Sequence, residues 1–158
     1  MPYSTTPNDG SDMTGLMGEK IATEALAQRV ASFLTPEFAR IELDYSAAGP
    51  VGQAKIRAVR ADGSHTSFPR TQVHDTVASL RSAMYRPGTG TWFSMSMTVS
   101  AAGAVDASFN YDDLPPTSFD FASDAYAADL VKFPRDPAHT PDWLSEQLAA
   151  DRKEQESR

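Results

Sequence analysis

GTWFSMSMTVSAAGAVDASFNYDD, residues 90–113, reads as a β-hairpin running into an acidic corner, and the rest of the chain can be placed around it. Phe93, Met95, Met97 and Val99 alternate with Trp92, Ser94, Ser96 and Thr98, the period-2 pattern of a strand with one buried face. Ala101-Ala102-Gly103 is a short connection whose glycine can take a positive φ. Val105, Ala107, Phe109 and Tyr111 then alternate with Asp106, Ser108 and Asn110, so the return strand also has a wet face. The strand must stop at Asp112-Asp113, because Pro115 and Pro116 have no N–H to give to a ladder.

Upstream, Phe38 to Ala47 alternates Ile41, Leu43 and Tyr45 with Arg40, Glu42 and Asp44, a strand. Gly49-Pro50 and Gly52 mark a turn into a second strand over Gln53 to Arg60, and Asp62-Gly63 signals a hairpin into a short third strand near His65 to Phe68. Arg70 to Tyr85 is an amphipathic helix with Val73, Val77, Leu80 and Met84 at helical spacing. A first helix is expected from Met13 to Leu34, capped by Ser11 or Asp12, with Ile21, Ala25, Leu26, Val30, Phe33 and Leu34 on its apolar side. After the double proline, Ala122 to Val131 is expected to be helical with Ser123 or Asp124 as cap. Thr140-Pro141 opens the last helix, anchored by Trp143, Leu144 and Leu148. Residues 1–12 read as a disordered tail, 13–150 as a single domain and 151–158 as a charged, solvent-exposed tail. The order α-β-β-β-α-β-β-α-α predicts an α+β fold, an antiparallel sheet of about five strands with helices on one face.

Composition bounds the function. The chain has 158 residues, a formal net charge of −7 and no cysteine, which excludes a disulfide framework and thiolate chemistry. The charge argues against nucleic acid or an anionic membrane as partner. No run approaches the roughly twenty apolar residues of a membrane span. MPYSTTPNDGSD at the start lacks the basic and apolar regions of a secretory signal, so a cytoplasmic location is expected. Charge is also uneven: from Pro87 to Val131 there is no Lys or Arg but six aspartates, Asp106, Asp112, Asp113, Asp120, Asp124 and Asp129. Such a field favours a basic partner and repels phosphate backbones.

Catalytic devices are absent from the pattern. His65, His74 and His139 have neither the spacing nor the clustering of a metal site. Gly88-Thr89-Gly90 lacks the Lys-Ser/Thr of a phosphate loop, and no Gly-x-Ser-x-Gly elbow occurs. Asp112-Asp113 has the chemistry for a hard cation but no further ligands at regular intervals, so a strand end or partner contact is the better reading. Adjacent strand carboxylates point to opposite faces, which makes them poor as a two-acid pair. No catalytic residue, metal or cofactor is therefore expected. Trp92, Phe93, Phe109, Phe133 and Trp143 read as core. In Phe133-Pro134-Arg135 the guanidinium can fork onto a carboxylate, with the Asp112–Asp113 corner the natural partner.

The helix, meander, helix and hairpin ending Phe109-Asn110-Tyr111-Asp112-Asp113, with the later Phe133-Pro134-Arg135, Pro141 and Trp143-Leu144, resemble the YezG-like immunity proteins, in particular their actinobacterial branch. The resemblance spans about residues 13–144; its specific parts are the Trp hairpin, the Tyr-Asp-Asp corner and the FPR…WL segment. It implies a non-enzymatic immunity protein (antitoxin) of a polymorphic toxin system, binding and neutralising the C-terminal domain of a secreted toxin, often a nuclease or a nucleotide-consuming enzyme. The expected contact residues are Tyr111, Asp112, Asp113, Asp120, Asp124 and Asp129. The competing expectation is a secretion-associated chaperone or adaptor that binds its partner without inhibiting it.

Overall fold

The computed structural model describes residues 7–117 and 120–158, with side chains from residue 15 on. The elements are α1 (Pro7–Ala31), β1 (Phe38–Ala48), β2 (Val51–Arg60), β3 (His65–Phe68), α2 (His74–Ala83), β4 (Ser94–Ser100), β5 (Val105–Asn110), α3 (Ser123–Lys132) and α4 (Asp142–Glu156). The five strands form one antiparallel sheet in the order β3-β2-β1-β4-β5, so the fold is α+β as expected. Two meanders, β1-β2-β3 and β4-β5, meet at the β1–β4 seam, where Ile41, Leu43 and Tyr45 stand opposite Val99, Met97 and Met95.

The alternation read in the sequence becomes two unlike faces. Ile41, Leu43, Tyr45, Ile56, Ala58, Met95, Met97 and Val99 join Leu26 and Val30 of α1 and Val77, Leu80 and Met84 around α2 in the main core. The opposite face is polar: Glu42 accepts from both Arg40 and Arg57 at 2.8 and 2.9 Å, and Ser96 donates to Asp44 at 2.6 Å. The hydrogen bond from Arg40 is the main reason that the Glu42 carboxyl titrates below its ordinary value. A second, smaller cluster of Ala48, Phe93, Phe121, Ala125, Tyr126 and Leu144 packs α3 and α4 against the end of the sheet. The helices therefore do not all share one face: α1 and α2 cover the sheet, and α3 and α4 cap its end.

Trp92 and Phe93 show how the two clusters separate. Both are fully buried, yet Trp92 enters the main core and Phe93 the smaller cluster. Phe93 was expected on the same strand face as Met95. Instead Phe93 N–H donates to Asn110 C=O although Ser94 is the residue registered against Asn110, so two residues of this strand answer one of β5. A step of that kind bends the strand and re-aims its side chains.

The helix boundaries differ from the sequence reading in specific ways. Of the expected N-terminal tail, residues 7–12 lie within α1 and residues 1–6 lie outside the described residues. On α1, Leu26 and Val30 are buried as expected, but Ile21 is 62% exposed and Ala25 is also exposed. The predicted second helix opens with a 3-10 turn, Arg70–Gln72, before α2 proper. Neither Ser123 nor Asp124 caps α3, which begins after extended Ala122 without a side-chain cap. Pro141 precedes α4 rather than opening it. The chain stays helical to Glu156, and Asp151 is buried, bonded by Gln155 at 2.9 Å, so the expected charged tail is largely the last turns of α4.

Candidate functional site

The corner after β5 is built by three side chains that hold backbone. Asn110 closes the turn with itself: its Oδ1 accepts from Asp113 N–H and its Nδ2 donates to Asp113 C=O, both at 2.9 Å, while Nδ2 also reaches Ser94 Oγ at 3.0 Å. Arg135, its side chain 1% exposed, donates to the carbonyls of Tyr111 (2.6 Å), Thr91 (2.8 Å) and His139 (2.9 Å). Trp143 Nε1 donates to Asp112 C=O at 2.7 Å. A guanidinium that satisfies three carbonyls fixes three chain segments at once, with a planar spread of donors that the single nitrogen of a lysine does not reproduce.

Arg135 needs room to reach that position. Its side chain lies 4.8 Å from the Phe93 ring centroid, and Gly90, at φ +93°, leaves the space where a Cβ would strike the Arg135 guanidinium. Burial pushes the Arg135 pKa down; the hydrogen bond and charge of Asp112 oppose that shift. The expected Arg135–Asp112 pair is present at 3.3 Å, but the Asp112 carboxylate is 71% exposed, so it touches the arginine only at the edge. The larger part of Arg135's bonding goes to backbone.

The six residues expected to contact a partner divide into three groups. Asp112, Asp113, Asp120 and Asp124 are exposed, with Asp112 and Asp113 on the rigid corner and Asp124 in the first turn of α3, where the helix dipole favours a carboxylate. Tyr111 is half-buried against the main core, its carbonyl held by Arg135, and burial raises its phenol above the ordinary range, with Glu19 adding to the shift. Asp129 is buried and does not belong to any accessible surface. Its carboxylate takes both Nη atoms of buried Arg81, one at 2.9 Å, and accepts Gly49 N–H at 2.9 Å. The acidic reading of its neighbourhood misled there, because Asp129 neutralises an arginine 48 residues away in sequence.

Arg81 is the functional-looking residue that sequence reading passed over. It donates to Trp92 C=O at 2.7 Å and lies 5.3 to 5.9 Å from the centroids of Phe133, Phe93 and Trp92. The available signal was its position one turn after Val77, on the apolar side of α2. A second missed group is Tyr45, Arg70 and His74. Arg70 Nη1 reaches Tyr45 Oη at 3.2 Å and His74 Nδ1 at 2.6 Å, and Tyr45 Oη lies 3.0 Å from the same nitrogen. A guanidinium can only donate, so Nδ1 accepts and the ring proton sits on Nε2. His65 and His139 are exposed, and among the described residues no group of three His, Cys, Asp or Glu side chains has the arrangement of a metal site. Among the described residues no helix is long and apolar enough to cross a membrane.

The polar sheet face carries a 520 Å³ cleft bordered by Asp44, Ser46, Gln53, Lys55, Ser96 and Thr117. Ser46 Oγ donates to Pro116 C=O at 2.9 Å, which ties the segment leaving the corner across this face. The arrangement presents charge and hydrogen-bonding groups, among them the Ser96 hydroxyl donating to the Asp44 carboxylate at 2.6 Å. No protein-family model matches the chain, and no curated protein sequence matches it.

Proposed function

We propose that this chain is a non-enzymatic immunity protein that binds and neutralises the toxic domain of a cognate secreted toxin through the exposed carboxylates of Asp112, Asp113, Asp120 and Asp124. The observation that carries the reading is the clamped corner: backbone is bonded by Asn110, Arg135 and Trp143 while the two corner carboxylates stay in water. Binding through preordered groups avoids the entropy of fixing a loop on contact. The resemblance to immunity proteins supports the same class. A basic substrate cleft, as in a nuclease, is the complementary surface, and charge steering accelerates such an association. Asp129 is not part of this surface.

Co-expression with the toxin domain encoded beside the gene tests the reading. Rescue of growth and a stable complex are expected, with association slowing as salt rises. The combined Asp112→Asn, Asp113→Asn, Asp120→Asn and Asp124→Asn protein should bind at least tenfold more weakly at low salt. Unchanged affinity would remove the surface from consideration, and binding without rescue would identify an adaptor instead.

A further inference from the structure

Four of the seven large apolar side chains exposed among the described residues sit on two neighbouring elements, Leu16, Met17 and Ile21 on α1 and Val105 at the start of β5, and of these Leu16 and Val105 face each other across a cleft. This 400 Å³ cleft runs between these elements, lined by Leu16, Glu19, Lys20, Thr23, Ala27 and Val105. β5 is also the last strand of the sheet. An unpaired edge beside exposed apolar surface is a template for a further strand.

The phase of the ladder says which groups that edge offers. Ser100 N–H donates to Ala104 C=O at 2.9 Å, and bonded and non-bonded pairs alternate along an antiparallel ladder. Ala104, Asp106 and Ser108 therefore turn their backbone groups toward β4. Val105, Ala107 and Phe109 turn theirs outward, and the same three side chains share the apolar face with their partners Val99, Met97 and Met95.

We infer that the α1–β5 border is the interface of a homodimer, in which β5 pairs antiparallel with β5 of a second copy about a two-fold axis at Ala107. Opposed residues in such a pair must point to the same sheet face. Centring on Ala107 sets Val105 opposite Phe109 on the apolar face and Asp106 opposite Ser108 on the polar face. Centring on Asp106 instead opposes two carboxylates, which is destabilising. Centring on Ser108 calls on the backbone of Tyr111, whose carbonyl already accepts from Arg135. The same two-fold axis lays the α1 helices antiparallel, so that Lys20 of each copy is brought toward Glu24 of the other, a charge-complementary match that a second copy supplies by symmetry; Glu19 is already bonded by Arg86 of its own chain at 2.6 Å.

Sedimentation of the purified full chain over micromolar concentrations, with hydrogen exchange, tests this. A mass of twice the chain is expected, falling to one chain in Val105→Lys, which charges the cleft. Ala107→Pro should do the same, since it removes an N–H that serves only the outer edge and leaves the β4 ladder intact. In the wild type, the amides of Val105, Ala107 and Phe109 should exchange more slowly as concentration rises, a readout that needs no variant to fold. Asp112→Asn should leave the mass unchanged, which separates this interface from toxin binding. A wild-type monomer throughout the range would overturn the proposal and leave the edge for a strand of another protein. So would folded variants that still dimerise, or edge amides whose exchange ignores concentration.

Discussion

At the scale of single residues, two buried arginines decide how the sheet end is built. Arg81 and Arg135 both lie against the Phe93 ring, at 5.5 and 4.8 Å, but they are satisfied differently: Arg81 by a carboxylate and one carbonyl, Arg135 almost entirely by carbonyls. Removing one member of a buried ion pair leaves the other charge stranded and costs about 3–5 kcal/mol. Arg81→Met should therefore lower the urea midpoint sharply, and Arg81→Met with Asp129→Leu should recover part of that loss; a small effect of Arg81→Met alone would contradict the pair's role. Tyr126 gives a second test at this scale. Burial, then the charges of Asp120 and Asp129, push its phenol up to about 12, against 10.0 for a free tyrosine. The folded state then keeps a proton that the unfolded chain releases, so this contribution to stability is complete below pH about 10 and is lost as the pH rises toward about 12. Ultraviolet titration should show a phenolate that forms late among the five tyrosines, and Tyr126→Phe should abolish that late step. Tyr126 ionising together with the other tyrosines would show that it is not shielded.

At the scale of elements, the sheet was legible and the helices were less so. Strand alternation is a local signal that marked β1, β2, β4 and β5, and the Asp62-Gly63 turn, equally local, marked the short edge strand His65–Phe68. Helix α1 exposes Ile21 while burying Leu26 and Val30, so its apolar residues spread over more than the face the sheet covers, and the sequence alone does not say which flank stays bare. The start of α3 was misread for a different reason: Ser123 Oγ is within 2.9 Å of Gln147 Oε1 on α4, so its hydroxyl serves a neighbouring helix rather than its own N-terminus. Of the expected contact residues, four carboxylates are exposed, Asp112 even though Arg135 touches its edge at 3.3 Å. Asp129 was lost to Arg81, a partner that only the packing of α2 against α3 brings within reach. The Arg135 corner was legible in part, since Phe-Pro-Arg pointed to a fork, but the carbonyls it binds belong to three separate segments.

At the scale of the molecule, two clusters divide the fold: a main core between the sheet and α1–α2, and a smaller one that fastens α3–α4 to the sheet end through the two arginines. The sheet order also divides the chain in time. Within β1-β2-β3 and within β4-β5 every strand pairs with its sequence neighbour. Hairpins of that kind form in about 1–10 μs. The seam joins residues 48 apart at Ser46 and Ser94 and 60 apart at Arg40 and Ser100, and closing so long a loop must precede most of the gain from burial. The seam is thus where the folding barrier belongs. Leu43→Ala or Met97→Ala should slow refolding in stopped-flow traces, whereas Leu144→Ala should leave refolding almost unchanged and accelerate unfolding. If Leu144→Ala slows refolding as much as the seam variants do, the α3–α4 cap forms with the nucleus rather than after it. Otherwise the newly joined sheet stands for a moment with its end uncovered, and the two arginines lock that end only once the β1–β4 seam has committed the chain to its fold.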